Sequence, residues 1–531
     1  MNSFSTAARG LLLFALAALS ACGARTPPQA NGDSERKAFD AAFDEVMARY
    51  QLPGLAVGIV RDGQVVYSRT AGELEAGGGQ PINSATLFKI ASNSKAMTSG
   101  VLARLVDAGK LHWNDPVTRY LPSFRMYDPW VTRELQVRDL LIHNTGLREG
   151  AGDLMEWPEP NLFTRTDILA GIAYLEPQHS FRSRYDYDNL MYIVAGEVAA
   201  AAGGMPYEQL VRREVFEPLG MTRCQVGEWR RDDIGNVAQA HMRKDDRNIL
   251  IRRDDEVIAA TTFAAAGGIR CSLDDMLKWI RMWLDPGLES DSGAAWLSKE
   301  QHDALWSAQI PIPLSQRQRD WDGSRFNAYG YGWRLSDVDG VLRVAHTGTL
   351  SGMYSAVTLL PELRTGFVLM TNGEGSDARA VLNEVLVKRF TAPGKGRSVA
   401  EYADALVQER AAAPAERKAP DVSARRPSSP DAMRKWLGVY RDPWFGEVSI
   451  CEREGRVAFA SAKSPQLAGD VMDVNQRQLV DWYDDSVDAE AWLDFASAGG
   501  ATTLRMAKVD PEADFSYDYE DLSFSRVHAC E

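Results

Sequence analysis

The sequence has 531 residues, of which 45% are hydrophobic and 25% are charged, and its formal net charge is −14. This length and composition are typical of a globular protein with two or three domains. The acidic balance argues against nucleic acid as a partner, because a surface that binds nucleic acid carries a basic patch.

The N-terminal residues predict export. Arg9 precedes an apolar run over residues 11–19, which is too short to span a bilayer. The run ends in the tetrapeptide LSAC at Cys22, which resembles a bacterial lipobox and predicts a signal peptide over residues 1–21 with lipidation of Cys22. An ordinary signal peptide with an incidental cysteine is the alternative. We expect an exported protein on the periplasmic face, held to a membrane by acyl chains on Cys22. Gly23 favours the outer membrane if the source is Gram-negative.

The next segment, residues 22–37, is small and polar and predicts a tether. From residue 38 to 392 the pattern mixes strands and helices. Apolar runs on both sides of Asp62-Gly63 predict a β-hairpin with a tight turn. Helices are expected over residues 92–108 and 190–202, and a buried strand is expected over residues 367–370. Strands at both ends with helices between them predict an α+β domain around a central antiparallel sheet.

The composition changes after residue 392. Residues 393–430 are rich in proline, glycine and alanine and predict an interdomain linker. Residues 431–531 consist of short alternating runs separated by turn signals, which is typical of a small all-β sandwich or barrel.

Five cysteines occur, at positions 22, 224, 271, 451 and 530. With Cys22 lipidated, the other four cysteines allow three pairings, and the sequence does not choose among them. A pair between Cys451 and Cys530 is favoured because both lie in the C-terminal domain. The seven histidines form no His-x-x-x-His pattern and no Cys-x-x-Cys is present, so we expect no metal site and no cofactor.

Ser92 and Lys95 form a Ser-x-x-Lys motif at the start of a predicted helix. Residues three apart stand on the same helix face, so the lysine can reach the serine hydroxyl. The positive helix N-terminus favours alkoxide character at the serine. The motif alone is weak, because Ser34 and Lys37 match it too and a serine at this place is also an ordinary helix cap.

Tyr187 and Asn189 form the second motif, the single Tyr-x-Asn of the chain. A phenol with an ordinary pKa of about 10 can act as a base only if nearby cations such as Lys95 favour the phenolate. A core aromatic residue followed by a turn-forming asparagine is the alternative.

His346, Thr347 and Gly348 form the third motif, between two strand-like runs. The glycine would let a substrate approach the backbone closely. A lone histidine is more often structural.

These three motifs, in this order and widely spaced, resemble the class C β-lactamase and DD-peptidase family. Flanking segments at residues 115–122, 137–147, 266–269 and 331–333 resemble family segments, and the likeness covers about residues 38–392. The C-terminal domain, notably residues 514–518, resembles a lipocalin-like β-barrel that recurs behind such domains.

The resemblance implies a role for each motif. Ser92 would attack a carbonyl and form an acyl-enzyme, with Lys95 and Tyr187 moving the proton. The backbone N–H groups of Ser92 and Thr349 would form the oxyanion hole. The remaining motif residues would bind substrate: Asn189 at the acyl side chain, His346 at the anionic end, and Thr347 with Gly348 beside them.

Two departures from the family pattern narrow the expected function. His346 stands where class C β-lactamases usually carry lysine, and a histidine with a pKa near 6.5 is mostly neutral at pH 7. Asp188 stands where relatives often have serine, which puts the leaving-group preference in doubt. We therefore expect a small-molecule or peptide substrate and, first, a peptidase or amidase on peptides containing D-amino acids. An esterase or weak β-lactamase, and a non-catalytic penicillin- or peptide-binding lipoprotein, are the alternatives.

Overall fold

The structure is a computed structural model that describes residues 29–285, 295–412, 414 and 418–530. The expected signal peptide and the lipidation at Cys22 lie outside the described residues. Residues 29–37 of the expected tether begin helix α1 (Gln29–Tyr50). The chain divides into two units at Ala41, and the described part of the first unit is the start of α1. The second unit begins at Ala42.

Fourteen strands are described before the linker. They are β1 (Gly54–Arg61), β2 (Gln64–Gly72), β3 (Phe88–Lys89), β4 (Trp229–Arg230), β5 (Ala240–Lys244), β6 (Arg247–Arg252), β7 (Val257–Ile258), β8 (Arg270–Cys271), β9 (Ile310–Pro311), β10 (Asn327–Tyr329), β11 (Arg334–Val338), β12 (Val341–Leu350), β13 (Met353–Leu360) and β14 (Thr365–Thr371). Eight of them form one antiparallel sheet in the order β2-β1-β14-β13-β12-β11-β10-β9. The other six pair two by two outside this sheet.

The helices that follow α1 are α2 (Ser94–Asp107), α3 (Pro129–Glu134), α4 (Arg165–Gly171), α5 (Leu190–Gly203), α6 (Tyr207–Val211), α7 (Arg231–Ile234), α8 (Leu273–Leu284), α9 (Lys299–Leu305), α10 (Ser376–Thr391), α11 (Val399–Ala411) and α12 (Pro430–Met433). The predicted hairpin is β1 and β2, joined at Asp62 and Gly63, whose φ angles of 49° and 73° suit a tight hairpin turn. The predicted helices correspond to α2 and α5, and the predicted buried strand to β14.

Helices cover both faces of the eight-stranded sheet. Successive residues of a strand point to opposite faces. On β14, a Cβ atom at Gly366 would lie 2.8 Å from Ile280 of α8, whereas the ring of the next residue, Phe367, lies 6.3 Å from the ring of Phe390 in α10. The expected α+β domain around an antiparallel sheet is confirmed.

The C-terminal strands are β15 (Arg426–Pro427), β16 (Gly438–Asp442), β17 (Gly446–Arg453), β18 (Arg456–Ser461), β19 (Ala468–Val474), β20 (Arg477–Trp482), β21 (Ala491–Ala498), β22 (Ala501–Lys508) and β23 (Ser523–His528). From β16 to β23, each strand pairs antiparallel with the next one in the chain, and β16 pairs with β23. This closes an eight-stranded barrel, and β15 adds to the edge of β19. The all-β expectation is confirmed as a barrel and not as a sandwich.

Two disulfides join Cys224 to Cys271 and Cys451 to Cys530, so the second links β17 to the C-terminal end of the barrel. Across the described part of the chain, none of the helices has the length and apolar character needed to cross a membrane.

Candidate active site

Ser92 lies in a short 3-10 turn, Ala91–Asn93, that leads directly into α2. Ala91 has a φ of 49°, a left-handed conformation that is energetically unfavourable for any residue with a side chain. The turn is tied to strand β13, because the Asn93 amide donates to Ser355 Oγ at 2.8 Å and Ser355 Oγ donates to the Ile90 carbonyl at 2.8 Å. These bonds hold Ser92 in place from the sheet side.

Gly348 brings strand β12 against the same turn. A Cβ atom at this position would lie 2.2 Å from the Ile90 carbonyl oxygen and 3.1 Å from Cβ of Ala91. No residue with a side chain fits there, so the bare Cα faces the nucleophile turn. On the side to which a Cβ would point, the space beside Gly348 is filled by protein, a packing reason for glycine that the sequence did not indicate. The contact places Thr349 beside the turn that carries Ser92, as an oxyanion hole made by their two N–H groups requires.

Lys95 is fully buried, and its amine has three polar neighbours. Its Nζ atom lies 2.7 Å from Asn189 Oδ1, 2.9 Å from the Ala266 carbonyl oxygen and 3.1 Å from Ser92 Oγ. The first two neighbours can only accept, so they take two N–H groups. The third position, which faces Ser92, holds a proton when the lysine is charged and a lone pair when it is neutral.

Burial lowers the pKa of Lys95 from 10.5 to about 7, because the charged form loses its hydration. Neighbouring charges modify this effect: Glu156, Asp153 and Asp188 raise the pKa, and Arg334 lowers it. At neutral pH a large fraction of the amine is therefore unprotonated. Its lone pair is directed at the Ser92 hydroxyl, which is the arrangement of a general base with its nucleophile.

Tyr187 packs against the amine of Lys95. Its ring centroid lies 4.9 Å from Lys95 Nζ and 4.3 Å from the His143 ring. Burial raises the pKa of this phenol above 10, and this effect exceeds the lowering by its hydrogen bond with Ser92 and by Arg334. The phenolate suggested by the sequence is therefore disfavoured at neutral pH. Lys95 is therefore better suited than Tyr187 to accept the Ser92 proton, and Tyr187 is a neutral phenol at neutral pH.

Asn189 holds Lys95 in place. Its Oδ1 accepts from Lys95 Nζ, and its Nδ2 donates to Asp153 Oδ2 at 2.8 Å. The amide oxygen and one amide hydrogen are therefore engaged within the protein, a positioning role that the sequence did not indicate. The adjacent Asp188 is fully buried and accepts from Thr145 Oγ1 at 3.3 Å, so it lies behind the site.

His346 is buried and uncharged at neutral pH. Its Nδ1 lies 2.7 Å from the Thr347 carbonyl oxygen, and its Nε2 lies 2.8 Å from the Tyr329 hydroxyl. A carbonyl can only accept, so the ring proton is on Nδ1 and Nε2 accepts from the tyrosine. Burial, with the positive charges of Arg334 and Lys95, holds the pKa of His346 well below 6.5. The histidine therefore provides no positive charge for an anionic substrate.

Arg379 supplies a positive charge at this strand instead. Its Nη1 donates to the Gly348 carbonyl at 2.6 Å and to Thr349 Oγ1 at 2.9 Å. Burial lowers its pKa to about 10, so the guanidinium remains charged at pH 7. Thr347 and Thr349 are exposed on the same strand, which leaves their edges open to a ligand.

Sequence reasoning missed several groups around the lysine. Asp153 and Glu156 lie in a stretch without a recognised motif, yet both are buried and act on the charge of Lys95. Arg379 lies on a helix at a position that carried no signal. Residues 514–518 stood out as a motif, but a sequence cannot show that they reach the catalytic lysine's neighbours.

Comparison with known proteins agrees with this geometry. The family model described as Beta-lactamase matches residues 39–390, well over half of the chain. The "Unguisins hydrolase ungD'" of Aspergillus campestris is 25% identical over 82% of this chain and 81% of its own length. "Penicillin-binding protein 4" of Amycolatopsis lactamdurans is 26% identical over 62% of this chain and 84% of its own length.

A solved structure supports the fold of the domain that carries Ser92 and of the C-terminal barrel. The octameric penicillin-binding protein homologue from Pyrococcus abyssi covers 92% of this chain and 99% of its own, with a TM-score of 0.58 and 17% identity. Taken with the geometry around Ser92, these findings show that the chain belongs to the beta-lactamase family of serine hydrolases.

Proposed function

We propose that this protein hydrolyses amide bonds in peptides that contain D-amino acids, through an acyl-enzyme on Ser92. The observation that carries the proposal is the arrangement of Lys95, whose amine has two N–H groups fixed by acceptors and its remaining position directed at Ser92 Oγ, 3.1 Å away. The relatives named as a hydrolase and a penicillin-binding protein support acyl transfer.

In the acylation step, the neutral amine of Lys95 takes the hydroxyl proton of Ser92 while Oγ attacks the substrate carbonyl carbon. The carbonyl electron pair moves onto the oxygen, which the N–H groups of Ser92 and Thr349 stabilise. When the tetrahedral intermediate collapses, the C–N bond breaks and the leaving nitrogen receives a proton from the Tyr187 hydroxyl. The ammonium of Lys95 returns a proton to the phenolate, so both groups recover their starting charge.

In the deacylation step, water replaces the departed amine. Lys95, with Tyr187 as relay, takes a proton from the water as its oxygen attacks the acyl carbon. The ester bond breaks, Ser92 Oγ recovers its proton from Lys95, and the carboxylic acid product leaves. No metal or redox group takes part in this sequence.

The positive charge of Arg379 beside β12, the strand that carries Thr349, supports a peptide with a free carboxylate as the substrate. Arg379 provides a permanent cation beside Thr349, whereas His346 is neutral and engaged by Tyr329. A carboxylate at the end of the substrate would pair with this guanidinium.

The test compares substrates on one preparation. Purified protein is incubated with a peptide ending in D-Ala-D-Ala, its L-Ala-L-Ala counterpart, a p-nitrophenyl ester and a fluorescent penicillin, and Ser92→Ala is run beside it. We expect release of the terminal residue from the D-peptide and none from the L-peptide or with Ser92→Ala. Hydrolysis of the ester or the penicillin alone would replace the peptidase proposal by the esterase or β-lactamase alternative. Binding of any of these compounds with turnover of none would overturn hydrolysis in favour of the non-catalytic alternative.

For location, we propose that the mature protein is anchored through lipid on Cys22. The tetrapeptide that ends at this cysteine supports the proposal. Wild type expressed in a bacterium should sediment with membranes, and Cys22→Ala should be recovered in the soluble exported fraction. Equal recovery of both in the soluble fraction would contradict the anchor.

A further inference from the structure

We propose that the C-terminal barrel completes the catalytic site, because its segment 514–518 positions Lys95 through Ser516 and Asp518. The segment lies between β22 and β23 and has the sequence Asp-Phe-Ser-Tyr-Asp. The proposal rests on acyl transfer at Ser92 and adds positioning residues that lie outside the matched family region, residues 39–390.

Three successive hydrogen bonds link Ser516 to the catalytic lysine. Ser516 Oγ donates to Asp153 Oδ2 at 2.8 Å, and this carboxyl oxygen of Asp153 also accepts from Asn189 Nδ2 at 2.8 Å. Asn189 in turn accepts from Lys95 Nζ at 2.7 Å. Asp153 is fully buried, and a buried carboxyl group needs such partners to stay in one orientation. Ser516 of the barrel therefore fixes the Asp153 carboxyl group. That carboxyl group fixes the Asn189 amide, which holds Lys95.

Asp518 fixes the backbone on both sides of Asp153. Its Oδ2 accepts from the N–H of Gly152 at 2.6 Å, and its Oδ1 accepts from the N–H of Leu154 at 3.0 Å. Asp518 is itself fully buried, so no water competes for these two bonds. One carboxylate of the barrel thus sets the path of the loop from which Asp153 reaches Asn189.

The hydrolase side of this contact is shaped to admit the barrel. Gly150 has a φ of 73°, and a Cβ atom there would lie 2.5 Å from the Phe515 carbonyl oxygen. The Phe515 ring meets the Tyr187 ring nearly edge-on, with centroids 5.7 Å apart. Arg148 adds an ion pair with Asp521, 2.8 Å between Nε and Oδ1. The barrel segment therefore touches the supports of both proton-handling residues.

The expected kinetic signature follows from where these residues lie. Ser516 and Asp518 act through Asn189 and the loop of residues 152–154, so a substitution should change how well Lys95 is aligned with Ser92. A displacement of catalytic groups on the order of 1 Å can cost about a hundredfold in rate. We therefore expect a loss in the acylation rate constant at saturation and little change in the concentration that gives half-maximal rate.

The experiment uses the full chain and a fluorescent penicillin, with acylation followed by stopped flow. The rate constant is expressed per acylable molecule, which is counted by intact-protein mass spectrometry. Ser516→Ala should acylate about tenfold more slowly, and Ser516→Thr, which keeps the hydroxyl, should recover most of the rate. The matched control is Ser486→Ala, since Ser486 Oγ donates to Asp484 at 2.6 Å in another turn of the barrel. It should acylate like wild type.

A second pair of variants covers the case in which Ser516→Ala does not fold. Asp518→Asn removes one of the two backbone acceptors and should also slow acylation. Its control is Asp442→Asn, because Asp442 is a buried barrel carboxylate that accepts from the N–H of Trp444 at 2.9 Å and of Ser523 at 2.7 Å.

The outcomes separate this inference from the proposed function. Wild type that is never acylated would overturn acyl transfer itself. Wild type that is acylated, with Ser516→Ala and Asp518→Asn as fast as their controls, would overturn only the role of the barrel. Fewer acylable molecules with an unchanged rate constant would show a purely structural contact and would also overturn it.

Discussion

The Nζ atom of Lys95 lies 3.1 Å from Oγ of Ser92, and the rest of its hydrogen-bonding capacity is taken by Asn189 and the Ala266 carbonyl. Burial lowers the pKa of Lys95 to about 7, so a large fraction of the amine is neutral at neutral pH, and these contacts direct its lone pair at the Ser92 hydroxyl. In the proposed mechanism, acylation therefore requires an amine that can accept a proton, and a positive charge at this position is not sufficient.

Replacing Lys95 by arginine should slow acylation strongly although it keeps a positive charge. Arginine stays protonated in proteins, so it has no lone pair to accept the Ser92 proton. We expect the acylation rate constant of Lys95→Arg to fall by about a hundredfold or more. Lys388→Arg is the control, because Lys388 is also a buried lysine and its amine pairs with Asp339 at 2.8 Å. A Lys95→Arg variant as fast as this control would exclude the lysine as base.

Acylation should depend on pH through the Lys95 amine. The pKa of this lysine is lowered to about 7, and only the neutral form accepts a proton. The rate constant should therefore be constant above about pH 8 and fall about tenfold per unit below pH 7. The measurement is kcat/KM for the p-nitrophenyl ester from pH 5 to 9, with Ser92→Ala as the blank at each pH. A profile that stays flat down to pH 5.5 would contradict a lysine base with this pKa.

Recognition of an anionic substrate should depend on Arg379 and not on the charge of His346. His346 has a pKa well below 6.5 and stays neutral, so KM for a peptide with a free carboxylate should not change between pH 5.5 and 7.5. Arg379→Gln should raise that KM about tenfold, and should change KM for the uncharged ester far less. An equal rise in KM for both substrates would show that the substitution disturbs strand β12, and that the charge of Arg379 does not bind the carboxylate.

Gly348 should tolerate no side chain. In Gly348→Ala, the added Cβ would lie 2.2 Å from the Ile90 carbonyl oxygen and would push β12 away from the nucleophile turn. We expect a loss of about 1–3 kcal/mol in the free energy of unfolding together with a strong loss of acylation. Gly267→Ala is the control, because its Cβ would meet Ala91 at an ordinary 3.6 Å. Denaturant unfolding and acylation of both variants test this, and equal behaviour would contradict the close approach.

The sequence predicted the fold class, and it marked Ser92, Lys95 and Tyr187 as the candidate catalytic residues, because both depend on local patterns. The hairpin around Asp62-Gly63 and the helix after Ser92 follow from turn chemistry and apolar spacing. The roles of Asn189 and His346 could not be read in this way. Whether an amide faces a substrate or a lysine, and whether a histidine is charged, depends on burial and on partners such as Asp153 and Tyr329 that come from distant parts of the chain.

The contribution of the barrel was equally hidden. Residues 514–518 are separated from Asp153 by more than 350 positions, as the sequence separation of 363 between Ser516 and Asp153 shows. A motif can mark such a segment as unusual, but only the folded chain shows which side chains it meets. The placement of Glu156 near Lys95 has the same origin, since both are buried by packing that no local pattern encodes.

Peptide mapping after reaction with a fluorescent penicillin identifies the residue that becomes acylated, which should be Ser92. Wild type and Ser34→Ala, which removes the second Ser-x-x-Lys motif, should each carry one adduct on the peptide that contains Ser92. Ser92→Ala should carry none. An adduct on any other peptide of wild type, or an undiminished adduct on Ser92→Ala, would contradict the account.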